Sequence, residues 1–599
     1  MIVRMSRVTV VCRSADTKTT VARLRDLGVL HVVPSRQGVD GDVDAARRQV
    51  ERLRNAITAL PTSEAAPRAD DAQVVADRVH AIVAESRELA NAAAELEAER
   101  RGVEPFGDFD PEQARNLAEA GLEIHLVQYP TRGDRPAMPD GAVLEELGDQ
   151  DGVTSAVAIA PIGASVGGRR VPLPARPLSA IRAALAANAA RRAQLDAELL
   201  ALAPARAALE RQAITLEDEL RLVEARAGMG SAEELSWIEG FCPEDAVGAL
   251  TAAAAEDGFA VVARAPAPDE VVPTLLRSNA FVRQVHSVLE MIGIAPGYGE
   301  PDVSPAFLFF LVLFAGLLIG DAGYGALLLV IAFLAGRKVT GNPPQALRLL
   351  RTIGVATLLW GAVTGTWFAI PNLPAALDSV RIEWLAGSDR LATTRHVMLL
   401  CFFIGAVHIT LAHLWAAARS LKSATALAQL GWIASTWCMF FVARTMVLGE
   451  SFPSVVIPIT VGGIAAIVLF MTPLRQLKSE WFNHVMLPLS LVSNFVDVVS
   501  YLRLFAVGSA GVAVAGAFND MAARIGAGGG ANILVAALVA VFGHTLNLLL
   551  CAMGVLVHGV RLNTLEFSAH LGMQWSGVRY EPLRRRLDPA GGAPDRSTN

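Results

Sequence analysis

The sequence predicts a two-part fold. An α+β amino-terminal half, with two small α/β lobes joined by long antiparallel coiled-coil hairpins, precedes an all-α polytopic membrane domain of eight transmembrane passes. Three observations predict it. Of 599 residues 53% are hydrophobic and mean hydropathy is +0.40, too apolar for a water-soluble chain, yet the first 300 residues are rich in charge. Before Pro305 no apolar run reaches the roughly 18 residues a membrane helix needs. Beyond it, long apolar segments alternate with connections in which Lys and Arg collect. The predicted domains are therefore 1–300, cytoplasmic, and 301–599, in the membrane.

Within the first domain, Val8-Thr9-Val10-Val11-Cys12 reads as a strand, Thr17–Leu27 as a helix stopped by Gly28, and 29–33 as a second strand, a βαβ opening. Val50, Leu53, Ile57 and Leu60 then step 3-4-3 to Pro61. Val75, Val79, Ile82, Leu89, Ala93 and Leu96 resume at a/d spacing, giving one arm over about 42–101. Strand-like runs follow at 122–129 and 153–161. A second heptad region runs from Leu178, Ile181 and Leu185 past Pro204 to Leu209, Leu216, Leu220 and Val223, a second arm over about 178–228. Trp237-Ile238-Glu239-Gly240-Phe241, a helix near 246–257 and a strand at 259–262 make another α/β piece. Met1-Ile2-Val3-Arg4 leads straight into the first strand, so no cleavable signal peptide is expected. There is no phosphate-binding Gx4GK[ST] loop and no GxGxxG after a strand, and the five cysteines form no CxxC pair. A net charge of −6 favours no nucleic acid. No cofactor or metal is expected.

Apolar segments fall at about 306–335, 346–371, 395–418, 424–448, 454–472, 485–523 and 531–560. Arg337, Lys338, Arg348 and Arg351 share one connection, Arg419 and Lys422 another, Arg475 and Lys478 a third, and the tail holds Arg579 and Arg584-Arg585-Arg586. The positive-inside rule makes these cytoplasmic. The segment 306–335 must then enter and return on one side, and Gly320-Asp321 supplies the break. Parity gives eight passes with both termini cytoplasmic.

One residue sits where a charge should not. Arg503 lies inside the apolar run 485–516, where a lone cation costs roughly 2.5–3.5 kcal/mol or more. Val507, Ala510 and Val514, on the turns that follow, offer no acid, so its partner is on another chain or at some distance along this one. Snorkelling, or a structural pair with Asp497, is the bland alternative. In 531–560, His544, Asn547, Cys551, Gly554, His558 and Arg561 step 3-4-3-4-3 along one helix face. Asn494, Asp497 and Ser500 form a similar stripe on the preceding helix. Lipid cannot satisfy such stripes, so they face protein or water. Two of them around a central Arg describe a broken aqueous route for ions.

These residues resemble a known family. The run Asn494-Phe495-Val496-Asp497-Val498-Val499-Ser500-Tyr501-Leu502-Arg503-Leu504-Phe505-Ala506 is similar to the signature of the a/I subunit of V-type and A-type rotary ATPases. So are Gly320-Asp321-Ala322-Gly323-Tyr324-Gly325, Trp360-Gly361 with Gly365-Thr366-Trp367-Phe368, Gly405-Ala406-Val407-His408, Gly543-His544-Thr545-Leu546-Asn547 and Val557-His558-Gly559-Val560-Arg561-Leu562 with Glu566-Phe567. In the first half Leu27-Gly28-Val29-Leu30-His31, Trp237-Ile238-Glu239-Gly240 and Pro273-Thr274-Leu275-Leu276 match as well. The resemblance implies a membrane stator beside a rotating c/K proteolipid ring, with proton or sodium movement coupled to ATP hydrolysis or synthesis. By resemblance, Arg503 discharges each ring carboxylate and Arg561 assists it. Asp497, Ser500 and Glu566 would line the cytoplasmic half-channel, and His544, Asn547 and His558 either route. The implied partners are the ring, peripheral-stalk E/G subunits, the central-stalk d/C subunit, the soluble V1/A1 motor and the lipid bilayer. The chain itself would bind no nucleotide. It departs from eukaryotic members at Gly511 and Cys551, where a His and a Glu stand, so those positions relay no proton here.

Two rivals come from other classes. A secondary ion antiporter with a cytoplasmic regulatory domain calls for an inverted repeat of broken segments, and no matching pair is visible. A membrane-anchored coiled-coil scaffold has no use for a buried arginine.

Overall fold

The computed structural model describes residues 1–35, 41–63, 68, 71–337, 339, 344–371, 374–387, 389–473, 478 and 480–585. Lys338, Arg475 and Arg586 of the expected positive clusters lie outside them.

In β1 (Met5–Arg13) Val8, Val10 and Cys12 alternate inward. Helix α1 (Thr17–Leu27) stops at Gly28, whose φ of 64° is the left-handed turn glycine takes without strain. β2 (His31–Val33) follows, but it does not lie beside β1. After a long insertion the chain returns through β7 (Gly230–Ala232), β8 (Leu235–Pro243), α7 (Val247–Asp257) and β9 (Ala260–Arg264). The sheet order is β2-β8-β1-β9, with β7 on β8. The segment read as a separate α/β piece therefore completes the first lobe as a split βαβ arrangement. Gly240 permits it, because a Cβ there would sit 2.3 Å from the His31 carbonyl oxygen.

The insertion runs out through α2 (Gly41–Ala59) and α3 (Ala72–Val103). It then forms a second lobe from α4 (Pro111–Glu119), β3 (Leu122–Pro130), β4 (Val143–Gln150), β5 (Val153–Pro161) and β6 (Arg169–Val171), in sheet order β4-β5-β3-β6. It returns through α5 (Leu178–Leu202) and α6 (Arg206–Ala227). The sequence suggests two arms, each closed on itself; instead α2 lies along α6 and α3 along α5. Heptads set which face is apolar, not which partner covers it. Here ion pairs bridge outgoing to returning helix in antiparallel register: Arg47–Glu224 at 2.8 Å, Arg54–Glu217, Arg78–Glu198, Glu85–Arg191 at 2.7 Å and Glu99–Arg176 at 2.9 Å. Leu53, Ile57, Leu60, Val75, Val79 and Leu209 fill the joint halfway along.

After α8 (His286–Ile292) the apolar helices begin with α9 (Ser304–Ile319). Then come α10 (Ala322–Arg337), α11 (Gln345–Thr364), two short turns α12 (Ala375–Asp378) and α13 (Glu383–Ala386), α14 (Arg390–Arg419), α15 (Thr425–Leu448) and α16 (Val456–Phe470). The short α17 (Trp481–Val485) leads to α18 (Leu487–Ser500), α19 (Leu502–Gly526), α20 (Ala531–Gly554) and, after two π-turns, α21 (Ser568–Leu571). Among the described residues five helices are long and apolar enough to cross a membrane: α11, α14, α15, α18 with α19, and α20 through α21. α9, α10 and α16 are shorter apolar helices. At Gly320, φ 68°, the chain turns back, and α10 packs on α11 so closely that a Cβ on Gly361 would fall 1.9 Å from the Ala322 nitrogen.

Contacts near three of the arginines from the expected positive clusters reach the segment 284–299 that precedes α9. Thr352, beside Arg351, bonds Gln284 at 2.9 Å; Arg419 donates to the Gly299 carbonyl at 3.1 Å; Arg579 pairs with Glu290 at 2.6 Å. Past Gly572 the chain leaves the helices and closes the first lobe. Leu583 joins its core and donates to the Leu30 carbonyl at 2.8 Å, and Tyr580 donates to that of Val29 at 2.5 Å. Residues 580–583 of the predicted 301–599 domain thus pack against the amino-terminal lobe.

Candidate ion-translocation site

Arg503 sits at a joint rather than within one straight helix. Tyr501 interrupts the ladder with tight turns, its own N–H reaching the Val498 carbonyl at 3.4 Å and its carbonyl taking Leu504 N–H at 3.0 Å. The Ser500 carbonyl so exposed accepts from Arg503 Nε at 3.1 Å. That is the contact the structure gives to Ser500. Arg503 Nη2 donates to Glu566 Oε1 at 2.9 Å, and Arg561 Nε stands 3.5 Å from the same oxygen. Of the two places open for the arginine's partner, the distant one in this chain is therefore filled. Glu566 is 4% exposed, Arg503 24% and Arg561 52%, so one buried carboxylate faces two more open guanidinium groups.

The π-turns Val555–Gly559 and Leu562–Phe567 widen the helix just here, as π-bulges at functional sites commonly do. They break the regular 3-4 step expected from His544 to Arg561. His558 consequently lies between the two polar zones, with Nδ1 buried and unbonded among the described residues.

One turn nearer the lobes, Asp497 Oδ2 meets His570 Nε2 at 3.1 Å. Asn494, also on α18, donates to Ser435 Oγ at 3.0 Å and accepts from Thr436 at 3.3 Å. His570 stacks edge-on with His413, ring centres 4.8 Å apart, and His413 Nδ1 bonds Gln429 Oε1 at 2.7 Å.

The second polar zone lies at the other end of α19 and α20. Asn547 donates to the Gly511 carbonyl at 2.9 Å and to the Tyr324 hydroxyl at 3.0 Å. That hydroxyl donates to His544 Nδ1 at 2.8 Å. His544 Nε2 donates to Asn519 Oδ1 at 3.0 Å, and Asn519 to the Phe368 carbonyl at 2.7 Å. Asp321 braces the end of this chain by accepting from the amides of Gly323, Tyr324, Phe368 and Ala369 at 2.8, 3.2, 2.9 and 3.1 Å. Phe368 and Ala369 are held at positive φ, 51° and 53°. A cavity of about 800 Å³ opens beside this zone, from Arg390 and Asp520 past Thr364 and Thr393 down to Leu504 and Phe505, next to Arg503.

The structure thus brings Arg503, Arg561 and Glu566 together, sets Asp497 one turn away, and places His544 and Asn547 in a separate network. Sequence reasoning had no part for His570 or Asn519, and took Asp321 for a helix break and Tyr324 for a motif residue without a role at the site. His570 could have been found four residues after Glu566, on the same helix face. No cluster of His, Cys, Asp and Glu able to hold a metal occurs among the described residues.

No family model matches the chain. It is 30% identical to V-type ATP synthase subunit I 1 of Treponema pallidum, over 98% of this chain and all of the relative. It is 32% identical to V-type ATP synthase subunit I of Borreliella burgdorferi, over 59% of this chain and 60% of that one. It is 25% identical to A-type ATP synthase subunit I of Methanocaldococcus jannaschii, over 69% and 64%. A solved cytoplasmic N-terminal domain of subunit I, homolog of subunit a, of V-ATPase aligns with 43% of the chain at 15% identity, but its TM-score of 0.19 carries no weight. The chain belongs to the V-type/A-type ATP synthase subunit I family.

Proposed function

We propose that this chain is the membrane stator of a rotary ATPase, offering two offset half-channels to a ring of carboxylate-bearing subunits, with Arg503 between them. The observation that carries this is the Arg503–Glu566 pair at the inner edge of a gap between two polar zones. Across that gap α19 and the last helix meet through small or apolar residues, where Gly554 approaches Val507. A guanidinium stays charged at any working pH, so it attracts each passing carboxylate, favours its ionised form and blocks a direct leak. Asp497 and Glu566 line the inner half-channel, beside the Ser500 turn. His544 and Asn547 belong to the outer one, His558 lies between, and Arg561 shares the charge of Glu566. A membrane potential of 100 mV then supplies about 2.3 kcal/mol per charge moved.

Eight passes follow if α9, α10 and α16 cross together with the five longer helices, leaving both lobes and the tail cytoplasmic. The paired helices α2/α6 and α3/α5 would hold the peripheral stalks against rotor torque, and the first lobe would face the central stalk and soluble motor. Purification in mild detergent with mass spectrometry tests this assignment. A proteolipid ring and nucleotide-binding subunits should come with the chain. A chain that purifies alone from cells making the whole complex would contradict it.

A further inference from the structure

The last helix and α18–α19 run antiparallel, and their polar contacts form consecutive rungs. Glu566 meets Arg503, and four residues on, His570 meets Asp497. Because residues four apart share a helix face, the second rung lies directly lobe-side of the first. Just beyond it, Gly572 ends the helix with φ 77° and the amide of Gln574 donates to Glu300 at 2.6 Å, where the chain enters the first lobe. The His570–Asp497 pair therefore stands at the mouth of the inner route, the two side chains 12% and 24% exposed. The groups facing His570 are Asp497 from α18 and His413 and His408 from α14, and Glu566 stands four residues back on its own helix. Arg503 and Arg561 lie behind Glu566. His413 Nδ1 donates to Gln429, which leaves its Nε2 lone pair free; that atom is buried without a hydrogen bond among the described residues.

We infer that His570, together with Asp497, is the proton-exchange group of the inner half-channel, so that this route carries protons rather than sodium. This rests on the stator assignment above and deepens it. A proton from cytoplasmic water binds the outward ring nitrogen Nδ1. The proton on Nε2 passes to Asp497 Oδ2, leaving a carboxylic acid and a neutral imidazole protonated on Nδ1. The acid hands its proton inward to the arriving rotor carboxylate and becomes a carboxylate again, and the imidazole turns over to present an N–H to Asp497 for the next cycle. No charge accumulates, and in the synthesis direction each transfer runs in reverse. Histidine suits this because it is the side chain that ordinarily changes charge between pH 5 and 8. A hard cation such as sodium seeks several oxygen ligands; the carboxylate in contact with the His570 ring is that of Asp497, and the imidazolium repels a cation.

The pair could instead serve only to clamp α18 to α21, and the test separates the two roles. His570→Gln can still donate a hydrogen bond to Asp497 but cannot take up and release a proton at working pH. In vesicles holding the whole complex, ATP-driven acidification by His570→Gln should fall by at least about tenfold near pH 7.5. Its pH profile should differ in shape from the parent's. His570→Ala should fall further and recover when imidazole is added. His570→Gln pumping at the parent rate with the parent profile would overturn the inference. So would a slow His570→Gln that keeps the parent's pH profile while imidazole fails to rescue His570→Ala, since that is the behaviour of a clamp. Arg503→Gln is measured in parallel. If it pumps, the stator assignment itself fails; if it is inactive while His570→Gln is normal, only the proton-exchange role falls.

Discussion

Glu566 competes with the rotor for Arg503, and removing its charge should change how long the rotor dwells there. In the structure Glu566 Oε1 takes a 2.9 Å bond from Arg503 and stands 3.5 Å from Arg561. When a ring carboxylate arrives, one carboxylate–guanidinium bond replaces another, so the exchange is close to balanced. In Glu566→Gln the amide oxygen still accepts, but a charge-assisted bond becomes a neutral one. Bonds to charged groups contribute about 1.5–3 kcal/mol against about 1 for neutral ones, and an unneutralised arginine holds the incoming carboxylate more tightly. A deepening of the bound state by the difference, about 0.5–2 kcal/mol, slows escape by about two- to thirtyfold. The assay is ATP-driven proton uptake alongside ATP hydrolysis in reconstituted vesicles. Both rates should fall together, with Glu566→Asp between parent and Gln. Glu566→Gln turning over at the parent rate would refute the competition.

Other outcomes follow from the same geometry. Cysteine at position 337 should react from the cytoplasmic side and cysteine at 527 from the outside; the reverse at 337 would break the parity that gives eight passes. Asp321→Ala leaves four backbone amides without their acceptor, at a cost of about 1–3 kcal/mol each where no water replaces it, so it should lower membrane-domain stability and pumping together. Deleting residues near 61–72, between α2 and α3, should weaken retention of the soluble motor, and fully coupled complexes would count against a stalk-holding arm. The hydrogen bond from Arg191 holds the Glu85 carboxyl below its usual range, so its contribution is present above the unfolded carboxylate value and is lost as pH falls through the folded one. Amide protection along α3 and α5 should then hold from pH 5 to 8 and drop below about pH 4; loss between pH 5 and 7 would contradict this.

What was legible in the sequence was composition and period; what was not was pairing. The apolar setting of Arg503 stands out from its neighbours, but Glu566 lies 63 residues away and two π-turns shift its step, so spacing alone could not join them. The heptads around Leu53 and Leu209 were plain, while the pairing of α2 with α6 depends on a return across the whole second lobe. Gly320-Asp321 announced a turn, yet nothing near it in sequence told that Asp321 would hold Phe368 and Ala369, 47 and 48 residues on. Likewise β1 and β2 looked like neighbours, and β8, some 200 residues later, separates them.

The central claim is that Arg503 meets a moving carboxylate on the rotor. Its most direct test is ATP-driven acidification by vesicles carrying Arg503→Gln, with assembly checked by co-purification. The account predicts an assembled complex that does not pump, because Glu566 keeps Arg561 as a neighbour while the rotor loses its cation. Arg503→Lys should also fail badly, since a compact ammonium cannot reproduce the planar fork of the guanidinium. An assembled Arg503→Gln complex pumping near the parent rate would contradict the claim.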